Sequence, residues 1–343
     1  MFEGSPISKK LFKHLNKKFG QIVTPKAHLK CLSVVSSKLE RPRLSVLDVA
    51  TTRSLKTYTS TEIMDIFDNE FWINIKSDFT MHSLKRYKDK LKEGKCLFVN
   101  DGTTLFASKA QRTKDRLVGG LSELMSDEVY TYQDNRTRFS LKGKVTLVMN
   151  ITSEAYQNYK DRLFGLTFSE RLLTVHHTLT KVEKDEWVAK EERAKRMHFD
   201  GYITVDDIET DVKIQRKYFK LIQYLAQEFS YLSLRSFIGC QDLIKGTLKA
   251  HASLNKRKEI CTDDIRFLMM IKDYLVNPFS PYEGRIVKYA SQGFSVRDIC
   301  RKLGKPTYLR QVQRVIDKAK LRGILDIGDH QVNIRGVYGD DKV

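Results

Sequence analysis

Residues 44–63 read LSVLDVATTRSLKTYTSTEI. The first six, 44–49, are an apolar run with the length and composition of a buried strand. A short polar loop follows, ends in Lys56-Thr57, and gives way to a helical pattern. Strand, turn, Lys-Ser/Thr and helix, in that order, are the parts of a phosphate-binding loop. There the backbone N–H groups and the helix N-terminus hold phosphate oxygens. The Lys reaches the terminal phosphates and the hydroxyl ligates magnesium. Set against G-x-x-x-x-G-K-[ST], the segment is Ala50-Thr51-Thr52-Arg53-Ser54-Leu55-Lys56-Thr57. Ser54, Lys56 and Thr57 are its candidate nucleotide-binding residues, with Thr57 also a candidate metal ligand. Both glycines are missing, and Leu55 stands where the backbone usually needs glycine's freedom, which predicts a reshaped or strained loop. The plainer reading is an ordinary strand–loop–helix.

The sequence around this stretch sets the context. The chain has 343 residues, room for two or three domains, and 41% hydrophobic content, enough for a sizeable core. Lys plus Arg total 61 against 42 Asp plus Glu, a net charge of +19 that points to a polyanionic partner, nucleic acid ahead of a membrane surface. The N-terminus lacks the apolar segment of a secretory signal, and no apolar run approaches about 18 residues, so a cytoplasmic protein without a membrane span is expected. The five cysteines, Cys31, Cys96, Cys240, Cys261 and Cys300, have no C-x-x-C spacing and read as reduced core residues.

Toward the N-terminus, Leu11, Phe12, Leu15 and Phe19 alternate with lysines as in a basic amphipathic helix, and 27–39 reads as a second helix. Beyond the loop, 71–75 is strand-like, 84–91 a Lys-rich helix, and 96–99 (CLFV) a strand leading to Asn100-Asp101. An acid at the C-terminal end of a strand beside a phosphate loop can hold the hydration shell of magnesium, the Walker B pattern. Asp101 is the candidate. Gly102 then takes the place of the usual catalytic Glu, unless Asn100-Asp101 is a shifted pair; Glu123 is better read as a solvated helix residue.

A helix over 107–126 is followed by an alternating segment, 129–141, with a turn signal at its middle, read as a β-hairpin carrying Arg136, Arg138 and Lys142. Residues 143–149 form a buried strand ending at Asn150, where a polar amide is costly without a partner or a task. The charged stretch 181–212 is expected to be a linker. Helices follow at 213–229, 234–255 and 265–276, and Pro278 and Pro281 then break the chain. The C-terminal pattern is helix 282–291, helix 296–303, helix 308–322 and two strand-like segments at 324–327 and 331–334, a winged helix-turn-helix. Its third helix would present Tyr308, Arg310, Gln311 and Arg314 to DNA.

Together these parts resemble an AAA+ ATPase, within it the clade that carries a hairpin before the sensor strand, including the minichromosome maintenance helicases. The segment 164–173 (FGLTFSERLL) and Asp101-Gly102-Thr103-Thr104 also resemble AAA+ ATPases of phages and integrated elements. The resemblance implies an α/β fold with a P-loop parallel-sheet core (1–180), the linker (181–212), a helical lid (213–278) and the winged helix (279–343). It implies that Asn150 is the first sensor, that Arg171 of SERLL is an arginine finger used in a neighbouring subunit's site, and that Arg235, in a segment (232–268) similar to the helical lid, is the second sensor. ATP and Mg2+ are the implied cofactors, DNA the partner and a homo-oligomer, as large as a hexameric ring, the assembly. The expected function is a helicase-like motor or initiator in replication of a mobile element, virus or archaeal genome. A nucleotide-binding switch, loader or regulator that hydrolyses poorly is the second expectation. A basic three-domain protein without nucleotide is the third.

Overall fold

The structure, a computed structural model, describes residues 6–21, 23–52, 54–76, 79–107, 110–133, 138–159, 168, 170–177, 179, 181–232, 236–272, 281–320 and 325. In chain order the elements are α1 (Pro6–Phe19), α2 (Thr24–Ser36), β1 (Val46–Ala50), α3 (Lys56–Ile66), β2 (Trp72–Ile75), a 3-10 turn (His82–Tyr87), α4 (Lys88–Lys92), β3 (Lys95–Val99), α5 (Gly102–Ala107) and α6 (Gln111–Asp127). Next come β4 (Val129–Gln133), β5 (Arg138–Lys142), β6 (Val145–Thr152), α7 (Ser153–Tyr159), β7 (Leu173–His177), α8 (Lys181–Lys195), α9 (Phe219–Leu232), α10 (Phe237–Leu254), α11 (Thr262–Met270), α12 (Pro281–Ser291), α13 (Val296–Lys302) and α14 (Leu309–Lys320).

Five strands form one parallel sheet in the order β2-β3-β6-β1-β7, and β4 and β5 form a separate antiparallel pair. β6 is thus inserted between β1 and β3, in register Asp48↔Asn150 and Val99↔Met149. The central strands are apolar on both faces, as a parallel sheet covered by helices requires. One face carries Leu47, Leu97, Val99, Leu147 and Met149, packed with Leu105, Phe106, Leu117 and Leu121 of α5 and α6. The opposite face is covered by α2, which packs on β1, β3, β6 and α3.

The chain divides into two compact units, 1–226 with 235–275, and 227–234 with 276–343. The boundaries expected at 213 and 278 therefore move, because α10 packs along α2 in the first unit. Gly246 lets α10 also lie close against the backbone that leads into β1: a Cβ there would be 3.0 Å from the Arg43 carbonyl carbon. The stretch 181–212, expected as a linker, contains α8 and then bridges back through Ile203 to Phe67. α2 begins three residues earlier than expected, with Pro25 in its first turn, where a missing N–H costs nothing. The helix expected over 107–126 is α6, which begins four residues later, and the short α5 precedes it. β6 runs on to Thr152, so Asn150 lies inside the strand and not at its end.

In the second unit α12, α13 and α14 share a core of Ile286, Val287, Ile299, Val312, Val315 and Ile316. Ser295 caps α13 by accepting from the Asp298 N–H at 3.3 Å. The expected wing strands lie outside the described residues except for Leu325, which is buried in that core.

Packing of α2 against α10 and α11 buries His28 beside His251 and Phe267, with ring centroids 6.3 and 5.2 Å away. Burial, reinforced by the neighbouring His251, lowers the His28 pKa to about 3. The unfolded chain binds a proton near pH 6.5 and the folded one does not, so stability is complete above pH 6.5 and is lost as pH falls toward 3. At pH 5 this one group costs about 2 kcal/mol. Urea denaturation of wild type and His28→Phe between pH 7 and 5 is expected to show the variant losing less stability by about that amount; parallel pH profiles would contradict the assignment.

Candidate nucleotide site

The C-terminal ends of β1, β3 and β6 meet the N-terminus of α3, the edge of a parallel sheet where ligands bind. Residues 51–55 connect β1 to α3. Ser54 is buried and donates its hydroxyl to the Thr51 carbonyl at 2.6 Å, closing the turn. Lys56 Nζ folds back along the loop to the Ala50 and Thr51 carbonyls, 2.8 and 2.7 Å away, and to Ser54 Oγ at 3.3 Å. Thr57, the next residue, is exposed in the first turn of α3. Leu55 has φ 65° and ψ 10°, left-handed backbone at the position of the missing glycine. The loop has kept the glycine conformation without the glycine, at a cost of about 1–2 kcal/mol.

Beneath the loop lies a buried polar cluster that the motif does not announce. Asp48, in the middle of β1, is fully buried, and Lys26 and Lys30 of α2 approach its Oδ2 at 3.3 and 2.7 Å. Lys30 Nζ also donates to Asn150 Oδ1 at 2.9 Å and to Lys56 O, Thr59 Oγ1 and Ser60 Oγ, each at 3.1 Å. Asn150 completes the cluster by donating from Nδ2 to Ser60 Oγ at 3.0 Å and Lys56 O at 3.3 Å. Burial lowers the Lys30 pKa to about 8 against the opposing pull of Asp48, and lowers that of Lys26 in the same way. The ion pair with Asp48 at 2.7 Å holds the Lys30 head group directly under the loop.

β3 ends at Val99, and Asn100 is the next residue. Continuing the register from Val99↔Met149 brings Asn100 level with Asn150, on the face of the sheet that carries α3. Its Oδ1 is buried and has no hydrogen-bond partner among the described residues. Asp101 is exposed and caps α5: Oδ1 accepts from the Thr104 N–H at 3.0 Å and Oδ2 from the Thr104 hydroxyl. Of the two readings of the strand end, the shifted pair Asn100-Asp101 is the one that aims a side chain toward α3. Glu123 is exposed on α6.

The remaining candidates lie elsewhere. Arg171 lies two residues before β7, whose Leu173 pairs with Val46 at the start of β1. The β1–α3 loop leaves the other end of β1, about 13 Å further along at about 3.3 Å per residue. Arg171 and the loop of the same chain are therefore at opposite edges of the sheet. Arg53, Arg136 and Arg235 lie outside the described residues. Arg138 and Lys142 are exposed at the two ends of β5, on a hairpin whose base is held by buried Tyr130 and Leu141 and whose Tyr132 and Phe139 rings stack 5.0 Å apart. On α14, Arg310, Gln311 and Arg314 are exposed opposite the buried Val312, Val315 and Ile316, and Tyr308 precedes them, also exposed.

The residues present fit a magnesium nucleotide. The left-handed Leu55, the lysine already seated on the loop carbonyls and the orphaned amide oxygen of Asn100 are the observations on which that fit rests. Among the described residues no group of three or more His, Cys, Asp or Glu gathers as a metal cluster, and no helix is long and apolar enough to cross a membrane. No protein-family model matches the chain, and no curated protein matches it either.

Leu55→Gly removes the left-handed strain while loosening the unfolded chain, and is expected to stabilise the protein by about 0.5–1 kcal/mol. A thermal melt at pH 7 checks this; a loss of stability would mean that the Leu55 side chain contributes more by packing than its backbone costs.

Proposed function

We propose that this chain is an ATP-dependent, DNA-binding AAA+ motor or initiator, helicase-like, acting in replication of a mobile element, virus or archaeal genome. The observation that carries the reading is the strand order. A strand bearing Asn150 is inserted between the loop strand β1 and the Asn100-Asp101 strand β3, so the three groups a nucleotide site requires stand side by side. The second support is the placement of Arg171 at the opposite end of the strands from the β1–α3 loop, where on this reading it serves a neighbouring subunit's nucleotide.

On this reading the loop amides and Lys56 bind the phosphates, and Lys30 adds charge from below. Thr57 and the Asn100-Asp101 pair would hold magnesium, which when bound neutralises charge on the phosphate oxygens. Asn150, fixed by Lys30 and Ser60, couples the first turn of α3 to β6. Arg171 neutralises charge developing on the adjoining subunit's γ-phosphate. Arg138 and Lys142 on the hairpin grip phosphates of the strand, while the winged helix, with Tyr308, Arg310, Gln311 and Arg314, holds duplex DNA.

A second reading, a nucleotide-binding switch that hydrolyses poorly, is favoured by one specific feature. The residue that follows β3, Asn100, carries an uncharged amide, and both Asp101 oxygens are engaged by Thr104.

Turnover in mixed oligomers tests the proposal. Lys56→Ala and Arg171→Ala are each expected to abolish DNA-stimulated ATP hydrolysis. Mixing the two variants restores some interfaces with an intact loop and an intact arginine, and turnover should partly return. Hydrolysis that survives either substitution overturns the motor reading; ATP-dependent assembly on DNA without turnover establishes the switch.

A further inference from the structure

A cavity of about 330 Å3 lies on the far side of α2 from the β1–α3 loop. Lys26 and Lys30 point to Asp48; His28, midway between them in sequence and so about 200° around the helix, faces the other way, into this cavity. One wall is a single face of α1, Lys9, Phe12, Lys13 and Asn16, spaced i, i+3, i+4, i+7. Phe267 of α11 closes another, its own ring stacked on His251 at 4.2 Å.

Its chemistry is unusual for a packing defect. His28 is 1% exposed, and neither of its ring nitrogens has a hydrogen-bond partner among the described residues. Asn16 Oδ1 is buried and likewise without a partner. Burying such groups without partners is costly, and a ligand that pairs with them recovers that cost. The neutral imidazole offers one donor and one acceptor, and Asn16 Oδ1 a further acceptor. Phe12 and Phe267 flank the His28 ring, with centroids 6.0 and 5.2 Å away. Lys9 and Lys13 are exposed and bring two ammonium groups to the opening. A fitting ligand is flat and aromatic, shows alternating donors and acceptors on its ring edge, and carries an anionic tail.

We propose that this cavity is a binding site for one phosphate-bearing nucleobase, its edge read by His28 and Asn16, its ring against the half-buried Phe12, and its phosphate on Lys9 and Lys13. The volume admits a single base with its sugar and phosphate, at the low end of small-molecule sites. Either a free mononucleotide or an unstacked base of a single strand supplies that chemistry. The site is independent of the phosphate loop.

Imidazole NMR of full-length protein carrying Lys56→Ala, which disables the phosphate loop, tests this directly. AMP, GMP, CMP, TMP and a short oligo-dT are titrated in turn. At least one is expected to shift the His28 signals saturably. His28→Phe should weaken that binding at least tenfold while leaving the melting temperature at pH 7 unchanged or higher, because an unpartnered imidazole is replaced by an apolar ring. Lys9→Ala with Lys13→Ala should weaken it several-fold and flatten its salt dependence. Response to mononucleotides identifies a free-nucleotide site; response to the oligonucleotide alone identifies a single-strand contact. No His28 shift with any of them, or equal affinity in His28→Phe, overturns the proposal.

Discussion

The contact between Lys30 and Asp48 is the constraint on which the rest of the first unit depends. One ammonium group lies within 3.1 Å of five oxygens, contributed by β1, α3 and β6, and itself belongs to α2. Removing two charges from water costs several kcal/mol per ion, and only close geometry with every remaining donor used can offset it. Lys30 meets that condition, and loss of one partner from such a buried pair typically costs 3–5 kcal/mol. A hydrophobic pair of similar volume would hold the helix to the sheet as well. It would not fix the first turn of α3, because only a charged donor can gather Lys56 O, Thr59 and Ser60 to a single point.

The shape of the β1–α3 loop follows from that anchoring. With the start of α3 held from below and β1 held by the sheet, residues 51–55 have to turn sharply, and Leu55 takes the left-handed conformation that glycine would take freely. Lys56 then lies across the turn on its carbonyls. A second buried ion group does similar work at the outer end of α3: Glu62 accepts from His14 at 2.6 Å and from Lys18, both of α1. Burial alone would raise the Glu62 pKa, but those two hydrogen bonds outweigh it and hold the carboxyl below its usual range. The basic N-terminal helix is thus partly a structural clamp, with Lys18 buried, while Lys9, Lys13 and Lys17 remain exposed.

Much of the sheet was legible in the sequence because parallel strands buried on both faces leave uninterrupted apolar runs, as at 96–99 and 143–149. The hairpin was legible from alternation, and the three C-terminal helices from their turns. The strand order was not legible, since β6 lies beside β1 through contacts about a hundred residues apart. The buried cluster left a trace that could have been followed: Asp48 interrupts an apolar strand, and Lys26 and Lys30 sit i, i+4 on a helix otherwise free of charge on that face. A charge in a buried run implies an opposite charge nearby, but sequence does not say which lysine of so many supplies it. Nor did it choose between Asp101 and the shifted pair, because the strand's last residue is fixed by its pairing with β6.

Whether residues 51–57 bind a nucleotide is the central question, and calorimetric titration of the full chain with magnesium-ATP, beside Lys56→Ala, answers it most directly. Saturable binding that weakens at least tenfold in the variant is the predicted result. Equal affinity in the two proteins, or no binding to either, would contradict the account.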